Sequence, residues 1–160
     1  MHIVDQMGRS LTFDHTPVRI VSLVPSQTEL LVDLGLQSSL VGITKFCVHP
    51  VTLRNEVSVV GGTKQVHFDK IKALQPDIIL CNKEENTEEM VRTLQDIATV
   101  HLSDVKTLQD AHNLIIQYGT IFNVTQRATA ITTRIKEEQE RFRESITKPI
   151  NTLKVGYFIW

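Results

Sequence analysis

Between Pro76 and Lys83 the chain reads Asp77-Ile78-Ile79-Leu80-Cys81-Asn82, four apolar residues in a row with no polar interruption. A strand that buries one face alternates apolar and polar side chains. A run of strand length without alternation, announced by a proline, belongs to a strand covered on both faces, and strands of that kind come from parallel sheets flanked by helices. The segments around it agree. Arg19-Ile20-Val21-Ser22-Leu23-Val24, ended by Pro25, reads as a strand, as do Leu40 to Thr44 and Ala98 to Leu102. Helical spacing connects them: Leu30, Leu31 and Leu34 up to a stop at Gly35; Phe68, Ile71 and Leu74; Glu88 to Leu94 behind a Thr87 cap; and Leu108 to Phe122 through Ala111, Leu114, Ile115 and Tyr118. Ser26 and Glu29 stand three apart, as in a capping box. The alternation βαβα with short connections predicts an α/β lobe, a parallel sheet with helices on both faces.

Two stretches fall outside this alternation. Residues 1–18 read as a hairpin extension, Ile3 to Gln6 and Leu11 to Phe13 around Gly8, before the lobe of residues 19–123. Residues 124–147 form one unbroken helix with Ala128, Ile131, Ile135, Phe142 and Ile146 on a single stripe, a strut rather than a local crossover. Pro149 stops it, and Leu153 to Trp160 has the composition of a strand. That strand either joins the first sheet or opens a second lobe. The strut would carry it away from the first sheet, so residues 148–160 are expected to be the start of a second, truncated lobe, with an exposed strand prone to self-association.

Composition bounds the function. The 160 residues suffice for one real core. Seventeen basic residues against 18 acidic ones lack the surplus a nucleic-acid binder needs to displace counterions. No stretch approaches 18 apolar residues, so the chain is not expected to be membrane-embedded. Nothing in Met1 to Ser10 reads as a signal peptide, so the location is expected to be cytoplasmic if Met1 is the native start. Cys47 and Cys81 are too few for a disulfide scaffold, and Cys81 reads as a small core residue.

Ligands of open α/β sheets bind beyond the carboxyl ends of the strands, so the candidate site residues are those just past a strand. They are Pro25 and Ser26; Phe46, Cys47 and His49; Thr63, within Gly61-Gly62-Thr63-Lys64; and Lys83, Glu84 and Glu85. Ser26 is conceivable as a nucleophile, but helix capping explains it, and its helix start can equally bind an anionic group. Cys47 and His49 are chemically suited to a soft or borderline metal, to contact with an organic or tetrapyrrole ligand, or to plain loop packing. Glu84 and Glu85 can hold a cation or anchor a partner, or simply form a solvated turn. No dinucleotide, phosphate-loop, nucleophile-elbow or zinc-protease motif is present, and no catalysis is expected.

Taken in order, Arg19 to Leu30, Val41-Gly42-Ile43, Val60-Gly61-Gly62 and Ile71-Lys72-Ala73-Leu74-Gln75-Pro76-Asp77-Ile78-Ile79 resemble the N-terminal lobe of the cobalamin and ferric-siderophore substrate-binding proteins of ABC transporters, the helical-backbone metal receptors. The vitamin B12 binders are the branch that looks closest. The resemblance implies two α/β lobes joined by one backbone helix, a cleft between them that holds a small-molecule metal complex, either cobalamin or an iron chelate, no intrinsic cofactor, an ABC-transporter permease as partner, and a periplasmic or cell-surface location. Phe46 and His49 fall where the B12 binders place cleft aromatics, and Thr63 where a tryptophan lines the cleft. Asp69 matches the acidic residue that docks the lobe onto permease arginines. An intracellular metal or tetrapyrrole carrier of the same fold is the alternative, favoured by the absence of a signal segment in Met1 to Ser10 and by Cys47 with His49.

Overall fold

A computed structural model describes residues 1–146, together with Lys154 and Gly156. Five parallel strands form the central sheet: β3 (Ile20–Ser22), β4 (Leu40–Ile43), β5 (Ser58–Val59), β6 (Ile78–Asn82) and β7 (Thr99–Ser103). Their spatial order is β5-β4-β3-β6-β7. The chain therefore builds outward from β3 to one edge, returns, and builds outward from β6 to the other. Residues of β6 alternate between two cores, as the unbroken apolar run requires. Ile78 and Leu80 pack with α1 (Pro25–Asp33) and α5 (Leu108–Ile121), while Ile79 and Cys81 pack with α3 (Phe68–Ala73) and α4 (Glu88–Gln95).

The hairpin pairs β1 (His2–Val4) with β2 (Ser10–Thr12), a shorter pairing than the sequence suggested. Three short elements carried no sequence signal: β5, with two residues, the single turn α2 (Leu53–Glu56) and the 3-10 turn Gln37–Ser39. The expected capping box of α1 does not form. Val24 is the N-cap, no side chain caps the first turn, and Ser26 lies inside the helix because Pro25 already takes its first position. The helix stops as predicted, with Gly35 at φ 77° and the Leu36 amide donating back to the Leu31 carbonyl at 2.8 Å. Thr87 caps α4, accepting from the Met90 amide.

The long helix, α6 (Thr125–Ser145), is held to the lobe by its first half. Gly119 of α5 lets α6 approach so closely that an added Cβ would lie 2.5 Å from the Ala128 methyl. Arg127 donates to the Leu34 carbonyl at 3.1 Å, and its guanidinium occupies the space a side chain at Gly35 would need. Beyond Ile135 most side chains are exposed, and Phe142 is 66% exposed. The expected terminal strand, Leu153 to Trp160, and the second-lobe segment 148–160 lie outside the described residues.

Candidate functional site

Because all five strands are parallel, their carboxyl ends share one edge of the lobe. The crevice of such a sheet opens where neighbouring strands send their crossovers to opposite faces. Here those neighbours are β3, followed by α1 on one face, and β6, followed by α4 on the other. Pro25 and Ser26 leave β3, Phe46 to His49 follow β4, Thr63 follows β5, and Lys83 to Glu85 leave β6. Every sequence-predicted site residue except Asp69 thus belongs to a loop or helix start at this edge.

The loops brace one another. Asn86, which is buried, accepts from the Asn82 amide at 2.8 Å and donates to the Thr63 carbonyl at 2.7 Å, tying the β6 loop to the glycine turn. Asn82 Oδ1 accepts the amides of Glu84 at 2.9 Å and Glu85 at 3.3 Å, the Asx geometry that makes this turn tight. Gly61, at φ 135°, accepts from the Lys45 amide at 2.7 Å, and a Cβ there would sit 2.6 Å from the Gln65 carbonyl oxygen. The result is a groove of about 520 Å³ lined by Lys45, Phe46 and residues 61–67. Phe46 is 51% exposed, with the Lys45 ammonium 5.1 Å from its ring centroid. Glu85 is half-buried. Burial pushes its carboxyl above the usual range, and Lys64 pulls against that.

Beneath the edge runs a buried polar chain. Tyr118 donates its hydroxyl to Gln27 Oε1 at 2.8 Å, and Gln27 donates in turn to Ser103, whose hydroxyl reaches the Cys81 carbonyl at 3.1 Å. Asn82 Nδ2 also donates to Ser103, at 3.2 Å. This network locks α1, α5, β6 and β7 under the loops with its polar atoms paired.

Cys47 and His49 do not share an environment. Cys47 is 1% exposed, its Sγ 3.2 Å from the Thr28 hydroxyl and 3.3 Å from that of Thr44, whereas His49 is exposed. The thiol packs as a small core group under the loop, so the shared-ion geometry that their spacing suggested is not formed. Among the described residues, no group of three or more His, Cys, Asp or Glu side chains is placed to hold a metal ion. Cys81 is fully buried, as expected, and burial pushes its thiol up to about 12.

Lys83 is drawn sideways. Its ammonium lies 3.1 Å from Asp104 Oδ2, which Lys106 also meets at 3.1 Å, and the two lysines hold the Asp104 carboxyl below its usual range. Asp104, Val105 and Lys106, the loop after β7, were missed by sequence reasoning. A rule naming the residues past every strand, applied to β7, would have found them. Asp69 stands apart, exposed in the first turn of α3 behind the His67 N-cap.

A parallel five-stranded lobe with its loops gathered at one switch point, leading into a long helix, defines a class of ligand-binding α/β proteins. The chain belongs to the periplasmic binding protein family, whose model matches residues 20–155. It is 25% identical over 146 residues to an uncharacterized ABC transporter substrate-binding lipoprotein, YvrC, of Bacillus subtilis, covering 89% of this chain and 46% of that protein. It is 28% identical over 131 residues to the vitamin B12-binding protein of Pectobacterium carotovorum, covering 81% and 47%. Among solved structures, a periplasmic heme-binding protein from Pseudomonas aeruginosa superposes with a TM-score of 0.74 at 28% identity, covering 80% of this chain and 46% of that one. The siderophore-binding protein BauB superposes at 0.80 with 19% identity, covering 93% and 55%, which shows a shared fold. The chain spans about half the length of the curated relatives it matches. No helix among the described residues is long and apolar enough to cross a membrane.

Proposed function

We propose that this chain is the N-terminal lobe of the substrate-binding component of an ABC uptake system, and that it takes a corrinoid or iron chelate at the carboxyl edge of its sheet without catalysing any reaction on it. The observation that carries the reading is the convergence of the β3, β4, β5 and β6 loops at one switch point, with a half-exposed aromatic, Phe46, facing the groove beside two lysines, Lys45 and Lys64. The names of the relatives, binders of vitamin B12, haem and siderophores, supply the ligand class. Pro25 and Ser26 would meet the ligand at the uncapped start of α1, whose amides suit an anionic substituent. Phe46 and Thr63 would line the groove, His49 and Lys83 to Glu85 its rims. Cys47 would support Phe46 from below. Asp69 would dock a transporter permease, and the working location would be periplasmic or cell-surface. The intracellular carrier reading drew part of its support from Cys47 and His49 acting together, and the buried thiol removes that part.

Titrating the chain with cyanocobalamin, haemin and a ferric catecholate, followed by ligand absorbance, tests this reading. One of the three is expected to bind weakly, because loops from a single lobe cover one side of a ligand that a full pocket would bury by 70–90% or more. Phe46→Ala should weaken that binding by about tenfold, the value of one stacked aromatic contact. No response to any of the three, from this chain or from the chain joined to the second lobe of a relative, would overturn the reading.

A further inference from the structure

Gln6 lies in the turn of the N-terminal hairpin, 98 residues from the loop after β7, yet its side chain ties the start of that loop to the first turn of α5 that follows it. Oε1 accepts from the Asp104 amide at 3.1 Å, and Nε2 donates to the Asp110 carbonyl at 2.9 Å. The grip is firm because the hairpin is itself fixed to β7. The buried Asp5 carboxylate accepts the Met7 and Arg9 amides at 2.9 Å each through Oδ1, and the Leu102 amide at 3.2 Å through Oδ2. Arg9 then donates to the Val100 carbonyl at 2.9 Å.

The gripped loop forms one wall of a second, more apolar pocket of about 290 Å³, opening at the same carboxyl edge between α1 and α5. Val105, 38% exposed, faces Leu30, Leu114 and Ile115 across it, and Ser26 and Asn82 mark its polar rim. The Gln27 amide at its floor is already paired to Tyr118 and Ser103, so the pocket makes no polar demand on an occupant. A dry aliphatic cavity of about 150 Å³ holds a benzene ring. This one has room for a single ring with substituents.

We propose that this pocket is a side pocket of the ligand site that receives one apolar ring of a small-molecule ligand, and that Gln6 is the positioning residue holding its Val105 wall in place. Which molecule carries the ring rests on the reading above; ring binding itself does not.

Indole, titrated into the methyl-labelled chain and followed by NMR, is the probe. It is expected to shift the methyl signals of Val105, Leu114 and Ile115, and Val105→Trp, which fills the pocket from its wall, should abolish those shifts. Gln6→Ala is expected to speed amide exchange at Asp104, leave the Met7 and Arg9 amides protected, and weaken indole roughly fivefold, as the loss of about one net hydrogen bond would. Gln6→Asn, whose amide is one methylene too short to reach both the Asp104 amide and the Asp110 carbonyl, should weaken indole in the same direction and serves if Gln6→Ala does not fold. Unmoved methyls, or shifts that survive in Val105→Trp, overturn the pocket. Wild-type indole affinity in the folded Gln6 variants overturns the positioning role. Indole shifts without any response to cyanocobalamin, haemin or the ferric catecholate, from this chain or from the chain joined to the second lobe of a relative, would instead refute the chelate reading and leave the pocket standing.

Discussion

The two ends of the same five strands are built differently. At the amino ends, side chains are spent on the backbone. Arg19 donates to the carbonyls of Leu74 at 3.1 Å and Gln75 at 3.0 Å, closing the end of α3, and Asp77 Oδ2 accepts the amides of Val18 at 2.8 Å and Arg19 at 2.9 Å. At the carboxyl ends the backbone is served by asparagines and glycines, which leaves Phe46, Lys45, Lys64 and Ser26 facing solvent. One end holds the sheet together while the other leaves side chains open to solvent, and the difference lies in which side chains have no structural duty.

The largest break in that contrast should come from Asp77→Ala, which strips two backbone amides of their acceptor. A loss of about 2 kcal/mol is expected in urea denaturation, with ligand affinity unchanged for the folded fraction. Gly61→Ala tests the opposite end, where φ 135° and the Gln65 carbonyl leave no room for a methyl. It should cost about 1–3 kcal/mol and, unlike Asp77→Ala, should also weaken ligand binding, because the turn it distorts lines the groove beside Phe46.

A smaller effect is expected at His101, which is buried behind the hairpin. Its Nε2 lies 2.6 Å from Gln117 Oε1, Nδ1 has no hydrogen-bond partner among the described residues, and Asp5 and Arg9 are the charged groups acting on it. Burial lowers the imidazole below its ordinary 6.5, outweighing the Gln117 hydrogen bond and Asp5. The unfolded chain therefore takes up the proton first as the pH falls. Stability should be full above about 6.5 and decline from there toward the folded value. His101→Gln should flatten that decline in melting temperatures taken across pH 5 to 7. Asp69→Asn should do least to the fold, within about 0.5 kcal/mol. Any weakening of a complex with a transporter permease would mark it as a docking group, and an unchanged complex would reduce it to a first-turn acid.

What was legible in the sequence had a strong local cause. The β6 run could be read because burial on both faces removes polar residues from every position, and α6 because its stripe repeats over several turns. The α1 stop was visible in Gly35, where a positive φ is needed. What escaped had no such periodic or conformational cause. Two residues of β5 cannot show a pattern, and the Ser26 box failed because Pro25 shifted the start of the helix by local sterics. The burial of Cys47 depends on a local turn with Thr44 and on Thr28, 19 residues away, which only tertiary folding brings to it. The grip of Gln6 on the β7 loop joins residues 98 and 104 apart, beyond anything a local window can register.

The attachment of α6 has a mechanical consequence. With its first turns bolted to α5 through Gly119 and Ala128, and to α1 through Arg127, the helix is a beam clamped at one end. A 21-residue helix is about 32 Å long, so roughly half of that overhangs the clamp. A sideways load on the overhang would not bend the helix locally. It would arrive as torque at Leu34 and Gly119, and so at α1, whose opposite end carries Pro25 and Ser26 at the carboxyl edge of the sheet.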